Sequence, residues 1–398
     1  MLLPAWAGMG DPVIYLDHQA STPCGAAVLA AMAPWWSEQC ANPSSRLHRS
    51  GLRAAAALEQ ARSRIGSALG VADAAAEPQR LVFTSGATEA NNLALKGLAE
   101  AELAAGGQRR HLISVASEHR AVLDPLRHLA RHGFTLTTLP VGPDGLLDPG
   151  RLEAALRADT LLVSVMAANN EIGVLQPLAA IAALCQPRGI RFHCDAAQAV
   201  GHIPLSPDAL GIDLLSFSGH KLGGPPGIGA LLIAPGLTLA PQQHGGSQEH
   251  GLRAGTPPLP LIVGLGVAVQ QAVASQAQRS LRLASLRDQL WQRLEALGGI
   301  TRNGAASPRL AHNLNVQVEG VEGSALHSRL RRHLAVSSGS ACGGGEPSHV
   351  LQALGLSRLQ AAASIRFGLG ADTTAAEIEA AADIVRDTIT ALRQGPRG

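Results

Sequence analysis

Short apolar runs recur along the first two thirds of the chain, each followed by a polar turn and then an Ala-rich or amphipathic stretch. Leu81 to Thr84, Leu112 to Val115, Phe134 to Leu139, Leu161 to Met166, Ile190 to Cys194, Leu214 to Phe217 and Gly227 to Ile233 read as strands. Leu81 to Thr84 reads as a buried strand and Leu161 to Met166 as a fully apolar one, as expected in a parallel sheet. A further short strand is predicted over 13–17. Helices are predicted over 25–38, 52–69, 90–105, 122–132, 148–157 and 178–185. Strands alternating with helices predict an α/β fold, with a mostly parallel central sheet and helices on both faces. A long helical stretch over 261–297, broken near Ser275, separates this pattern from a different one. Beyond it lie an alternating strand over 313–318, a helix over 323–333, a strand-like run over 364–367 and a closing helix over 374–393. That change predicts a smaller α+β domain. The division expected is a large domain over 25–265 and a small one formed by 1–24 and 266–398.

Composition narrows the partners. Apolar residues make up 46% of the 398, but aromatics only 3%, so Ala, Leu and Val must fill the core. A formal net charge of +2 gives no electrostatic reason to bind nucleic acid or a membrane surface. Five scattered cysteines (Cys24, Cys40, Cys185, Cys194, Cys342), with no paired spacing, argue against a disulfide framework or a metal site. Four of them lie in apolar or Ala-rich surroundings and read as small core residues. Met1 to Gly10 is uncharged and too short for a signal or a membrane span. The expectation is a soluble cytoplasmic protein without a metal.

Chemistry concentrates where the predicted strands end. Thr84 to Thr88, Glu118-His119, Asn170, Asp195 with Gln198, and Ser218 to Lys221 all follow an apolar run. In open α/β sheets ligands bind outside the carboxyl ends of the strands. The chain has only two lysines, Lys96 and Lys221. Lys96 falls in a helical pattern and reads as a solvated side chain. Lys221 ends a strand ahead of Gly223-Gly224-Pro225-Pro226, a setting that suits Schiff-base chemistry as well as an ordinary loop lysine. Asp195 lies upstream at another strand end. A lysine and a carboxylate facing one crevice suit pyridoxal phosphate (PLP), whose pyridine nitrogen needs an acidic partner. The turn at Gly86-Ala87-Thr88, opening a helix, offers a phosphate site; simple capping by Ser85 or Thr88 is the alternative. His119 suits ring stacking or proton transfer, and equally a core histidine held by one hydrogen bond. Arg366 suits a carboxylate, or a surface ion pair. Asn42 sits in a loop able to present its amide. The glycine-rich loop over 244–256 is long enough to be functional. Cys342, among glycines and serines, reads as an exposed cysteine on a mobile loop over 337–347.

Taken together these residues resemble a known family. Thr84-Ser-Gly-Ala-Thr-Glu89, Asn169-Asn-Glu-Ile-Gly173, Ser216-Phe-Ser-Gly-His-Lys221 and Ser337-Ser-Gly-Ser-Ala-Cys342 are similar to motifs of the cysteine desulfurases of the NifS/IscS type. These are class V aminotransferases of PLP fold-type I, and the likeness runs from about Ile14 to Arg393. The resemblance implies that Lys221 carries PLP and moves protons, and that Asp195 faces the pyridine nitrogen. It implies that Gln198 and Asn170 contact the cofactor and His119 stacks on its ring. It places Ala87, Thr88, Ser218 and His220 at the phosphate, with Thr256 reaching in from the second subunit of a homodimer. It implies that Asn42 and Arg366 grip the substrate carboxylate. Cys342 would take the sulfur of L-cysteine, leaving alanine and a persulfide for an acceptor such as an iron–sulfur scaffold. Selenocysteine lyase and other class V lyases or aminotransferases keep the cofactor but need no mobile thiol for turnover, and a scaffold without catalysis is the third reading.

Overall fold

The computed structural model describes residues 13–71, 77–338 and 347–395. Strand β1 (Ile14–Tyr15) leads into helices α1 (Ala26–Trp36) and α2 (Arg49–Ala68). The βα alternation then runs β2 (Leu81–Thr84), α3 (Ala87–Ala104), β3 (His111–Val115), α4 (Arg120–Ala130), β4 (Thr135–Leu139), α5 (Pro149–Ala155), β5 (Thr160–Ser164), α6 (Leu178–Cys185) and β6 (Arg191–Asp195). After the single turn α7 (Pro207–Leu210) come β7 (Leu214–Ser218) and β8 (Gly229–Ile233). These strands form one seven-stranded sheet in the order β2-β8-β7-β6-β5-β3-β4. Strands β2, β3, β5, β7 and β8 are buried along their whole length, and β6 along all of it but Arg191, which is why they lack alternation; the edge strand β4 is mostly exposed or half-buried. Only β8 is antiparallel to its neighbours, β2 and β7. The carboxyl ends of β2, β7, β6, β5 and β3 therefore open on one edge, together with the amino end of β8.

Helices α8 (Leu259–Ala274) and α9 (Gln276–Glu295) replace the single long helical stretch, bent by 69° at Ser275. The chain continues through β9 (Ile300–Arg302), β10 (Asn313–Val318), α10 (Gly323–Leu330), β11 (Leu334–Ala335), α11 (His349–Ala353), α12 (Arg358–Ala362), β12 (Ser364–Gly368) and α13 (Ala375–Gln394). Strands β12, β10 and β9 make an antiparallel sheet. One apolar cluster joins this sheet to a single face of α9 (Leu283, Leu286, Leu290, Leu294) and of α13 (Ile378, Val385, Ile389). Capping boxes start α12 (Ser357 with Gln360) and α13 (Thr374 with Glu377). Leu16 belongs to this second cluster, so the first residues of the described chain pack against its last third. β1 pairs in parallel with β11 in the same region.

No single described helix is long and apolar enough to cross a membrane, although α8 and α9 together pass that test by length and composition. Both contribute to buried apolar clusters. The expectation of four core cysteines holds for two of them. Cys185 and Cys194 are buried, but Cys24 is half-buried and Cys40 is exposed. Cys40 follows the end of α1 on a segment where neighbouring side chains are mostly exposed, so its Ala-rich context was a poor guide.

Candidate active site

A cavity of about 440 Å³ opens at the carboxyl edge of the large sheet. One end of it is built by the start of α3. The helix begins at Ala87, three residues earlier than its apolar pattern suggests, because Gly86 serves as N-cap. Neither Ser85 nor Thr88 caps it, and no side chain does. The N–H groups of the first turn at Ala87 and Thr88 face an anion site favoured by the helix dipole. Strand β8 must pass very close here. A Cβ on Gly229 would lie 2.7 Å from the Gly86 Cα and 2.5 Å from the Phe217 carbonyl, so only glycine fits. Ser218, at the end of β7, and His220, in the turn after it, line the same end. Burial, then the nearby Lys221 charge, push the His220 imidazole down to about 4, so near neutral pH it is an uncharged hydrogen-bonding group.

Lys221 leaves the same turn. Its Nζ donates to the Gln19 carbonyl at 2.6 Å and the Ala20 carbonyl at 2.8 Å. Those carbonyls belong to the segment after Leu16 that packs with the small sheet, so the amine is held between the two sheets. Gln198 Nε2 donates to the Gln19 carbonyl too, at 3.0 Å. Asp195 ends β6 and is buried. Its Oδ2 accepts from Asn91 Nδ2 at 2.7 Å and its Oδ1 from the Ala197 N–H at 2.9 Å.

His119 is the N-cap of α4. Its Nδ1 accepts from the Ala121 N–H at 3.1 Å, so the neutral ring carries its proton on Nε2. Burial lowers its pKa; Asp195 opposes that shift, and Lys221 adds to it. The preceding Glu118 is fully buried. Burial, then the Asp195 charge, hold its carboxyl well above the usual carboxylate range. Asn170 lines the cavity with its Oδ1 buried and without a hydrogen-bond partner. Arg366, on β12, is 1% exposed. It donates from Nη2 to Asp17 Oδ1 at 2.7 Å and from Nη1 to the Asn170 carbonyl at 2.9 Å, while its buried Nε has no partner. Arg366 does form an ion pair, but a buried one and not the surface pair that was the alternative expectation, and it also lines the cavity.

Ten of the residues expected to hold cofactor or substrate therefore line one cavity: Ala87, Thr88, His119, Asn170, Asp195, Gln198, Ser218, His220, Lys221 and Arg366. Asn42 does not line it; this side chain is exposed, and its Oδ1 accepts from the Ser44 N–H. Thr256 is exposed and also lies off the lining. Cys342 and most of its loop lie outside the described residues. Among the described residues no cluster of His, Cys, Asp or Glu could hold a metal ion. Several contributors escaped the sequence reading. Asn91 gave one signal, an amide one helical turn after Thr88; Asp17 and Gln19 gave none, because their roles depend on a partner hundreds of residues away.

The donor set fits PLP. An uncapped helix N-terminus suits its phosphate, a buried carboxylate its pyridine nitrogen, and Lys221 its aldehyde. The unpartnered Asn170 Oδ1 is a buried acceptor that a ligand's proton would satisfy.

Comparison with known proteins agrees with this geometry. The family model described as aminotransferase class-V matches residues 14–381. A cysteine desulfurase IscS of Tolumonas auensis is 46% identical over 391 residues, covering 96% of this chain and 93% of that relative. The solved structure of a NifS-like protein superposes with a TM-score of 0.88 at 33% identity, covering 95% of this chain and all of that one. The structure of SspA in complex with cysteine gives a TM-score of 0.77 at 39% identity, covering 89% of this chain and 98% of that one.

Proposed function

The chain belongs to the class-V aminotransferase family, and from that premise we propose that it is a PLP-dependent cysteine desulfurase. L-cysteine is converted to L-alanine, and the sulfur becomes a persulfide on Cys342. One observation carries the reading: Lys221, Asp195 and the uncapped start of α3 converge on a single cavity.

Bound PLP supplies an electron sink for the bonds at the Cα of an amino acid. Asp195, oriented by two donors, would face the pyridine nitrogen. Ala87, Thr88, Ser218 and His220 would hold the phosphate, Asn170 and Gln198 the ring oxygen, and His119 the ring face. Arg366 takes the substrate carboxylate and fixes the Cα beside Lys221. Lys221 Nζ then removes the Cα proton and returns one to the same region. The neutral His119 is placed to hold a proton on Nε2. The Cys342 thiolate attacks the substrate sulfur; the Cβ–S bond breaks and an S–S bond forms. Cβ gains a proton and becomes the alanine methyl group. L-cysteine and a thiol give alanine and a persulfide, so atoms balance without an outside oxidant.

The division into a large domain over 25–265 and a small one formed by 1–24 and 266–398 is supported by a separate apolar cluster around the three-stranded sheet, while Leu310, Val350, Leu351 and Leu354 cross the division to pack into a cluster of the large sheet. The exposure of Thr256 away from its own cavity suits a homodimer, in which Thr256 of the partner subunit completes the phosphate site. Asn42 joins the carboxylate site only after movement from its exposed position. The persulfide passes to a sulfur acceptor, such as an iron–sulfur scaffold, in the cytoplasm.

The test is alanine release from L-cysteine, with and without a thiol reductant, by the native protein and by Cys342→Ala. Reductant-dependent alanine and sulfide that vanish in the variant are expected. Pyruvate and sulfide, unaffected by the substitution, would replace the desulfurase reading with a lyase.

A further inference from the structure

Helix α3 buries one face against the sheet, and all but one of its buried residues are Ala, Leu or Gly. The exception is Asn91, which is 0% exposed. A buried amide in an apolar face costs stability unless it is satisfied, and this one is satisfied only in part. Its Nδ2 donates to Asp195 Oδ2 at 2.7 Å, while its Oδ1 has no partner. A carboxylate only accepts, so the amide nitrogen must be the atom that faces it. We propose that Asn91 is a positioning residue for the cofactor: it orients Asp195 toward the pyridine nitrogen, so that one helix fixes both ends of PLP. The proposal rests on the PLP reading above.

The geometry is that of a ruler. Ala87 and Thr88 stand at the helix start, where the phosphate binds. Asn91 lies three residues beyond Thr88, a rise of about 4.5 Å along the axis. The phosphate donors and the residue that holds Asp195 are thus on one rigid element. The second oxygen of Asp195 is held by the Ala197 N–H at 2.9 Å, so neither carboxylate oxygen is free to rotate away. The amide is also the right chemistry. A lysine or arginine there would cancel the negative charge that the pyridine nitrogen needs, and a hydrophobic residue would leave the orientation open. A neutral donor fixes direction without neutralising the charge.

The test uses full-length protein loaded with PLP, and three variants. Asn91→Leu removes the donor while keeping the branched shape and the number of heavy atoms. Asn91→Asp places a second carboxylate against Asp195. Asn92→Ala is a control, removing the neighbouring amide, which bonds the Thr88 carbonyl at 2.9 Å. PLP affinity is read by equilibrium dialysis of the apoprotein, and the cofactor environment by the visible absorption of the loaded protein and its pH midpoint. Asn91→Leu is expected to bind PLP about tenfold more weakly, the loss of one hydrogen bond to a charged group. Its absorption midpoint is expected to shift, while Asn92→Ala keeps both native. In Asn91→Asp the two carboxyls can share a proton only at low pH, so its PLP affinity is expected to fall as pH rises. A purely structural amide would lower the melting temperature of the apoprotein and leave the absorption midpoint alone; that result, or native affinity and absorption in both Asn91 variants, overturns the proposal. Should Asn91→Leu not fold, the pH dependence of Asn91→Asp decides it. A native protein that takes up no PLP overturns this inference and the desulfurase reading together; native uptake with unaltered variants overturns this one alone.

Discussion

Replacing Glu249 with leucine is expected to destabilise the protein by about 4 kcal/mol, a figure built from one buried ion pair. The Glu249 carboxylate meets Arg62 through two contacts, at 3.1 Å and 3.2 Å, and accepts the Phe83 N–H at 2.8 Å. The side chains of Arg62 and Glu249 are only 2% and 4% exposed, so water screens little of this. Leaving one member of such a pair buried alone costs about 3–5 kcal/mol. The orphaned Phe83 N–H adds about 1–3 kcal/mol. Glu59, 3.0 Å from Arg62 Nε but 53% exposed, offsets part of the loss. With an unfolding entropy of about 2 cal/mol/K per residue, the melting temperature falls by about 5 °C. The assay is thermal and urea denaturation of the loaded protein, followed by circular dichroism. Adding Arg62→Met should recover most of the loss, since removing both charges is far cheaper than stranding one. A drop below about 1 kcal/mol in the single variant, or no recovery in the double, refutes the argument. The pair matters for function because it ties the glycine-rich loop to α2 and β2. Arg253 on that loop also bonds Glu89 at 2.9 Å, in the first turn of α3.

Acid should unfold the protein through its buried histidines. Burial lowers His193 from 6.5 to about 3, and His202 to about 4, so the unfolded chain takes up protons at a pH where the folded one does not. Their stabilising effect is complete above pH 6.5 and is lost as pH falls toward 4 and then 3. The urea midpoint should therefore drop between pH 6.5 and 4, and a flat midpoint over that range would sink the assignment. Gly229→Ala pushes a methyl group into the Phe217 carbonyl and the Gly86 Cα, so it should cost about 1–3 kcal/mol and weaken PLP retention by displacing the start of α3. Stability by urea denaturation and retention by visible absorption check both, and native values for each would show that β8 can yield.

Much of this site was legible from the chain alone. Apolar runs with no alternation identified the buried strands, because a strand covered on both faces needs no polar side. Polar residues at their ends pointed to one edge of the sheet, and the scarcity of lysine singled out Lys221. The motifs around Lys221, Asn170 and Cys342 carried the family resemblance. These are local properties: propensity, spacing and residue chemistry act within a few positions. Pairings between distant residues were not legible. The start of α3 moved three residues earlier because Gly86, pressed against Gly229 from another strand, serves as its cap. Arg366 found Asp17, Lys221 found the Gln19 and Ala20 carbonyls, and Asp195 found Asn91. Each contact joins segments separated by a hundred residues or more, so no local pattern encodes it. Sequence determined which groups were available for the chemistry; the tertiary structure decided which of them meet, because hydrogen bonds and ion pairs form over ångströms of space and not along the chain.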